Sequence, residues 1–272
     1  MNNDQKLAIS FEGNGPNVVF AHGTPTYSGE FAEVASILAN NFRCVLIDHL
    51  GFGQSPKPKN GDYSLQNHQM RFRHSLVESK ITSFHLVVHD FGGVIALPLL
   101  KDKEFEILSL TILNSWYWPL IETEPQMKQQ KPLVTSGILP ALYRYLNFSP
   151  RVLIKMAWGS HRPLTKKLHK HFMAQFPSPD ERSGAVGFLR ALFDFENSAW
   201  QRSEDLKSVL IPVQIVWGMA DKLVSERNLK RWQQIFPGAF VSELPNVGHF
   251  VAAESPELLA PLLEAHFTRR QS

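Results

Sequence analysis

The stretch Phe84-His85-Leu86-Val87-Val88-His89-Asp90-Phe91-Gly92-Gly93 constrains this chain more than any other. Its first half is an apolar, β-branched run with the length of a buried strand. Its second half sets a potential nucleophile among small residues. Ile95, Ala96, Leu97 and Leu99 then continue as a buried helix, which Pro98 weakens. A strand that turns sharply into a helix strains the corner residue, projects its side chain and places a helix N-terminus beneath it. Gly92 and Gly93 let that helix pack close to the neighbouring strands. The corner residue is Asp90. A carboxylate is ionised at neutral pH, so it needs no base before attacking a saturated carbon and forming an ester. Asp is also a favoured helix N-cap, and on this stretch alone the two readings stand level.

Other strand-like runs precede and follow. Leu7 to Phe11 and Val18 to Phe20 read as strands joined by a turn at Gly13-Asn14-Gly15-Pro16. The second runs into Ala21-His22-Gly23-Thr24-Pro25, where glycine permits close backbone approach and the Thr24 N–H can face a ligand. Phe31 to Leu38 has helical spacing, and Cys44 to Ile47 is a buried strand. The glycine-rich turn Asp48 to Pro56 lacks the G-x-x-x-x-G-K-[ST] pattern of a phosphate loop and reads as structural. Tyr63 to Glu78 reads as a helix, and Ile107 to Leu113 as another strand. Asn114 to Pro119 follows, bringing Trp116 and Trp118 to a strand end where a ligand crevice or ordinary packing explains them equally.

The strand-then-helix rhythm lapses over 119–207. Helix-like stretches at Ile138–Tyr145, Arg151–Trp158, Leu164–Phe176 and Ser183–Phe195 are separated by prolines. This predicts a helical cap at 119–207 inserted between core segments 1–118 and 208–272. The insertion carries 13 Lys and Arg against eight Asp and Glu, which a solvated outer face explains better than an anionic-substrate channel. His161, His169 and His171 have no Cys or carboxylate at ligand spacing, so no metal site is expected. The rhythm returns with strands at Val213–Trp217 and Phe240–Leu244, a helix at Glu226–Ile235 and a last helix near Pro256.

The chain has 272 residues, 43% hydrophobic and 19% charged, which suits one large globular α/β domain with an insertion. The polar start Met1–Lys6 lacks a signal-peptide core, and no apolar run approaches the roughly 20 residues of a membrane helix. A cytoplasmic protein with no membrane partner is expected. A net charge of +3 without a dense basic run argues against nucleic acid. The single cysteine, Cys44, lies in a strand-like run and reads as a small buried hydrophobe.

Asp90, Asp221 and His249 stand after strand-like runs in the chain order nucleophile, acid, histidine. With His22-Gly23-Thr24-Pro25, Asp48-His49-Leu50-Gly51-Phe52-Gly53-Gln54-Ser55, Trp217-Gly218-Met219-Ala220-Asp221 and Gly248-His249-Phe250, they make the chain resemble the α/β-hydrolase family over nearly its whole length. Val88-His89-Asp90-Phe91-Gly92-Gly93 resembles its aspartate-nucleophile branch, which holds haloalkane dehalogenases, epoxide hydrolases and fluoroacetate dehalogenases. The resemblance implies an α/β fold: a mostly parallel sheet flanked by helices, with an inserted cap. It also implies a small apolar organic substrate, water as co-substrate and no metal or organic cofactor. Asp90 would form the ester, His249 oriented by Asp221 would activate water, and the N–H groups of Thr24 and Phe91 would hold the oxyanion.

Three departures stand out. Haloalkane dehalogenases usually place a Trp directly after the nucleophile to hold halide, and Phe91 offers no donor. Trp116, Trp118, Trp158 or Trp200 would have to replace it. Epoxide hydrolases use two cap tyrosines. Tyr143 or Tyr145 could be one, and 151–207 contains no second. Fluoroacetate dehalogenases usually carry Arg where Phe91 stands. A haloalkane dehalogenase-like hydrolase is therefore the first expectation and an epoxide hydrolase the second. A luciferase-type oxygenase or a non-catalytic ligand receptor is the alternative of another class on this fold.

Overall fold

The computed structural model describes residues 6–196 and 206–269. Seven strands are present among them: β1 (Ile9–Glu12), β2 (Asn17–Ala21), β3 (Arg43–Ile47), β4 (Ser83–His89), β5 (Glu106–Leu113), β6 (Val213–Gly218) and β7 (Phe240–Leu244). The helices are α1 (Ala32–Leu38), α2 (Leu65–Glu78), α3 (Phe91–Ala96), α4 (Lys131–Thr135), α5 (Ile138–Leu146), α6 (Ile154–Ala157), α7 (Lys166–Ala174), α8 (Ser183–Phe193), α9 (Glu226–Ile235), α10 (Val251–Glu254) and α11 (Pro256–Phe267). The strands form one sheet in the order β1-β3-β2-β4-β5-β6-β7. All neighbours pair in parallel except β1, which runs antiparallel to β3. This is the α/β architecture that the sequence implied.

The central strands are near-continuous apolar runs because both sheet faces are covered. Along β2, Val18 and Phe20 enter one layer while Val19 and Ala21 enter the other; in β3, Cys44 and Leu46 alternate with Val45 and Ile47 in the same way. Residues of α1 and α11 complete the first layer, and residues of α2, α3 and α9 the second. Cys44 is buried, as its neighbours predicted.

Local chemistry sets the element ends. The helix expected from Tyr63 begins at Leu65, because the Ser64 side chain caps it by accepting from the Asn67 N–H. The helix after Asp90 is shorter than expected. It stops at Ala96 and tightens into a 3₁₀ turn, Leu97–Lys101, with Pro98 in its first turn. Pro98 has no N–H with which to continue the α-helical ladder. The single helix expected over Arg151–Trp158 is instead a π-turn, Ser149–Leu153, followed by α6. The turn after β3 is structural: Asp48 accepts from the Ser28 N–H at 3.0 Å and the Gln54 N–H at 2.7 Å. Between β5 and β6 the described residues hold helices and turns and no strand. Among the described residues no helix is long and apolar enough to cross a membrane.

The topology itself marks a place for a site. From β2 the chain goes to β3 on one side, then crosses back to β4 on the other. The loops leaving the carboxyl ends of β2 and β4 therefore diverge and open a crevice, the usual ligand position in an open α/β sheet. Gly23-Thr24 follows β2 and Asp90 follows β4.

Candidate active site

Asp90 occupies the corner between β4 and α3 with φ 51° and ψ −126°, in the positive-φ region that non-glycine residues seldom adopt. It stands at the N-cap position, but its side chain makes no capping hydrogen bond. The helix-cap reading thus fails on geometry. The corner is held from outside: the Ser115 hydroxyl donates to the Asp90 carbonyl at 2.6 Å. Two glycines are required here. A Cβ on Gly92 would lie 2.0 Å from the Ala21 carbonyl, and one on Gly23 would lie 2.2 Å from the Asp90 side chain.

The carboxylate of Asp90 faces two groups. Oδ1 accepts from the Thr24 N–H at 2.8 Å, so that amide points at the nucleophile's own carboxyl group. Oδ2 lies 3.3 Å from His249 Nε2. That approach lacks hydrogen-bond alignment, and Nε2 has no hydrogen-bond partner among the described residues. On the other side of the ring, Nδ1 meets Asp221 Oδ2 at 2.7 Å. Asp221 is itself clamped: Asn114 Nδ2 donates to Oδ2 at 2.8 Å, and the Leu223 and Val224 amides donate to Oδ1. The structure therefore brings together Asp90, Asp221, His249 and the Thr24 amide from four strand ends. The Phe91 N–H is the first amide of α3, one of those a helix leaves unpaired at its N-terminus.

Burial shapes the charges. It would push the His249 imidazole down, but the charge and hydrogen bond of Asp221, with the charge of Asp90, raise its pKa well above the ordinary value. Burial would likewise raise Asp90. The close His249 ring, the His89 charge and the Thr24 amide outweigh it and hold Asp90 below the usual carboxylate range.

Several supporting residues escaped sequence reasoning. His89 Nε2 donates to the His249 carbonyl at 2.9 Å while Nδ1 meets buried Glu30 at 2.8 Å, tying β4 to the histidine loop. Glu254 accepts from the amides of Gly159, Gly248 and Phe250, which fixes that loop. His22 and His49 lock the turn that carries Thr24. His22 Nδ1–H donates to the Gly23 carbonyl, His22 Nε2 accepts from the His49 N–H, and His49 Nε2–H donates to the His22 carbonyl. These bonds require one proton on each ring. Burial enforces that state, lowering His22 to about 3 and His49 well below its usual value. His22, His49 and His89 stood inside the motifs that carry the resemblance, and Asn114 at the end of a predicted strand, but nothing in the sequence showed these bonds, and Glu30 and Glu254 carried no signal.

The expected substrate-binding residues divide. Trp116 is 1% exposed, its ring meets Phe91 edge-on at 5.1 Å, and its buried indole N–H has no partner among the described residues. Phe91 is sandwiched between Trp116 and Phe188 of α8, whose ring stacks at 4.5 Å. Tyr143 is buried. Its phenol is pushed up to about 12, mainly by burial, with Asp90's charge adding to the rise. Trp118 is a correction: its N–H donates to Asn228 Oδ1 at 3.1 Å, Arg231 covers its ring, and it packs on Trp232 of α9. Trp158 stacks on Phe250, but its N–H is taken by the Arg162 carbonyl at 2.7 Å. Tyr145 is 66% exposed and points away. Trp200 lies outside the described residues.

The model of the α/β-hydrolase fold family matches residues 16–256. Haloalkane dehalogenase 2 of Mycobacterium tuberculosis is 24% identical over 259 residues, covering 94% of this chain and 89% of that protein. The cis-3-alkyl-4-alkyloxetan-2-one decarboxylase of Shewanella oneidensis is 27% identical over 271 residues, covering 94% and 83%. Among solved structures, a loop variant of the haloalkane dehalogenase DbeA from Bradyrhizobium elkanii superposes with a TM-score of 0.85 at 20% identity, covering 96% of this chain and 92% of that one. At that identity the likeness is one of fold.

Proposed function

The chain belongs to the α/β-hydrolase fold family, and on that premise we propose that it is a haloalkane dehalogenase-like hydrolase with Asp90 as nucleophile. One observation carries the reading: an uncapped carboxylate at a strained corner has one oxygen on the Thr24 amide and the other 3.3 Å from His249 Nε2. We assign 1–118 and 208–272 to the core and 119–207 to a cap that closes over a small apolar substrate.

In the first step Asp90 Oδ2 attacks the saturated carbon, and halide departs with the carbon–halogen electron pair. In the second, His249 Nε2 takes a proton from water, whose oxygen attacks Cγ of Asp90. The negative charge develops on Oδ1, which already faces the Thr24 amide, with the Phe91 amide as second donor. Collapse breaks the Cγ–Oδ2 bond, the alkoxide recovers the proton from His249, and Asp90, now carrying the water oxygen as a carboxylic acid, releases its proton to solvent and is restored as the carboxylate.

Alkylation also changes the histidine. It makes Asp90 neutral and removes one of two negative charges that raise the His249 pKa, so that pKa falls and more of the ring is neutral and free to take a proton once the ester exists. Asp90, held below its usual range, stays ionised in mild acid. Lowering the pH should therefore spare alkylation and slow hydrolysis by up to about tenfold per unit below the ester-state pKa of His249. Intact-mass spectra of wild-type protein quenched during turnover should show the Asp90 ester accumulating from pH 8 to pH 5. Occupancy that stays level or falls would count against this order of events.

The leaving halide needs donors that Phe91 cannot supply. Buried Trp116 Nε1 and Thr24 Oγ1 are both unpartnered beside the nucleophile, and we assign the role to them. Trp116→Phe should lower kcat/KM for a bromoalkane by about 10- to 100-fold, the worth of one hydrogen bond to a charge, without unfolding the protein. Crystals soaked in bromide should carry an anomalous peak against Trp116; a peak that touches no indole overturns the assignment.

Tyr143 favours a second reading, an epoxide hydrolase, because a phenol near Asp90 can protonate the opening oxygen. A screen of halogenated alkanes and epoxides that reads halide, alcohol and diol decides between them. Halide with alcohol supports the first reading, and diol alone supports the second. Ligand binding without any product would favour a receptor.

A further inference from the structure

From Pro125 to Pro179 the chain carries nine Lys and Arg residues and no Asp or Glu. Of the 28 cations and 25 acids in the whole chain, this leaves 19 against 25 elsewhere, so this stretch is positive and the rest of the chain negative. Arg151, Lys155, Lys166, Lys167 and Lys170 are exposed and make no ion pair among the described residues. Large apolar side chains of the same stretch are exposed as well. On α5, Ile138, Ala141, Tyr145 and Leu146 are exposed at spacings that share one side of a helix, whereas Pro140 and Tyr143 are buried on the other. Ile138 is 55%, Tyr145 66% and Leu146 54% exposed. Val152 and Met156, four residues apart, are exposed beside Arg151 and Lys155. The lysine-bearing α7 is joined to this segment where His169 Nε2 donates to the Pro150 carbonyl at 2.9 Å.

We propose that this face docks on an anionic membrane surface, with the outer side of α5 in the interface and the lysines over lipid phosphates. A basic surface with protruding Tyr, Leu and Ile side chains suits that partner, because the cations attract the phosphates while the apolar groups enter the acyl boundary. A second copy of the chain fits poorly. A two-fold contact sets the same patch against itself, which here opposes the five unpaired cations to their own copies, while the nearby acids Glu33 and Asp180 are already engaged by Arg162 and Arg144. The docking is a surface contact and needs no spanning helix. It presents to the lipid the same helix whose inner side carries Tyr143, near enough to Asp90 for its charge to reach the phenol. If the hydrolase reading holds, an apolar substrate dissolved in the bilayer meets the roof of the site directly.

The test reads binding rather than turnover, so it stands or falls apart from the hydrolase reading. The full chain is sedimented with vesicles of phosphatidylcholine alone, or with roughly one-third phosphatidylglycerol, at ~0.1 M salt. Sedimentation with the anionic vesicles only is expected. Two variant proteins, Ile138→Ser with Tyr145→Ser and Leu146→Ser, and Lys155→Glu with Lys167→Glu and Lys170→Glu, should each lose binding by about tenfold or more. Their melting temperatures should stay near that of the wild type, as expected for exposed positions. No binding to anionic vesicles, or binding that neither folded variant weakens, overturns the proposal. A dimer in sedimentation velocity that the same substitutions disperse overturns it in favour of a protein interface.

Discussion

Asp90→Ala is expected to lower hydrolysis by ~10⁴-fold or more while leaving the fold in place. The loss is large because no neighbour can replace the nucleophile: the other carboxylate in the constellation, Asp221, is bound on both oxygens by Asn114, His249 and two backbone amides. The fold should survive because the Asp90 side chain caps nothing, and its corner is held through its backbone by Ser115. Alanine at φ 51° costs about 1–2 kcal/mol, which moves the melting temperature of a chain this size by only a few degrees. Steady-state turnover and a thermal melt on the same preparation check both halves. Near-normal turnover in a protein of confirmed mass would remove Asp90 from the mechanism.

His249→Phe should separate the two steps by trapping the ester. Attack by a carboxylate needs no base, whereas water needs one, so alkylation should persist while hydrolysis slows by about 10²- to 10⁴-fold. The substitution also removes the cation that offsets the burial of Asp90. The Asp90 pKa should then rise, so the experiment belongs at pH 8 or above, where the carboxylate remains ionised. Intact-mass spectrometry after incubation with a substrate that the wild type turns over should show one added alkyl group, and peptide mapping should place it on Asp90. A serine nucleophile behaves differently, since losing its histidine also impairs the first attack. Unmodified protein would sink the two-step scheme, and an adduct on another residue would move the nucleophile.

The strands, their alternation with helices and the placing of Asp90, Asp221 and His249 at strand ends were legible in the sequence. Short, near-continuous apolar and β-branched runs identify strands buried on both faces, and a mostly parallel sheet carries the carboxyl ends of those strands to one edge. That edge collects the groups that follow each strand, so chain order alone brought the Gly23-Thr24 turn near Asp90. Local chemistry also marked Pro98 as weakening the helix after the corner, whereas the Ser64 cap, one residue past the expected helix start at Tyr63, went unread.

Tertiary structure alone decided which neighbours of those groups are engaged and which are free. Trp116 and Trp118 are two residues apart and alike in sequence, yet the second gives its N–H to Asn228, 110 positions away, while the first keeps its N–H unpartnered beside Phe91. Tyr143 and Tyr145 share one helix, and only the packing of α5 turns the first inward and the second to the surface. The bonds from His89 to the His249 carbonyl, from Asn114 to Asp221 and between His22 and His49 join residues 160, 107 and 27 positions apart. A sequence pattern reports the period of one element, which says where its side chains stand around that element's own axis. Whether a buried polar group is satisfied depends on what the next element brings within about 3 Å, and that is decided only when the layers pack.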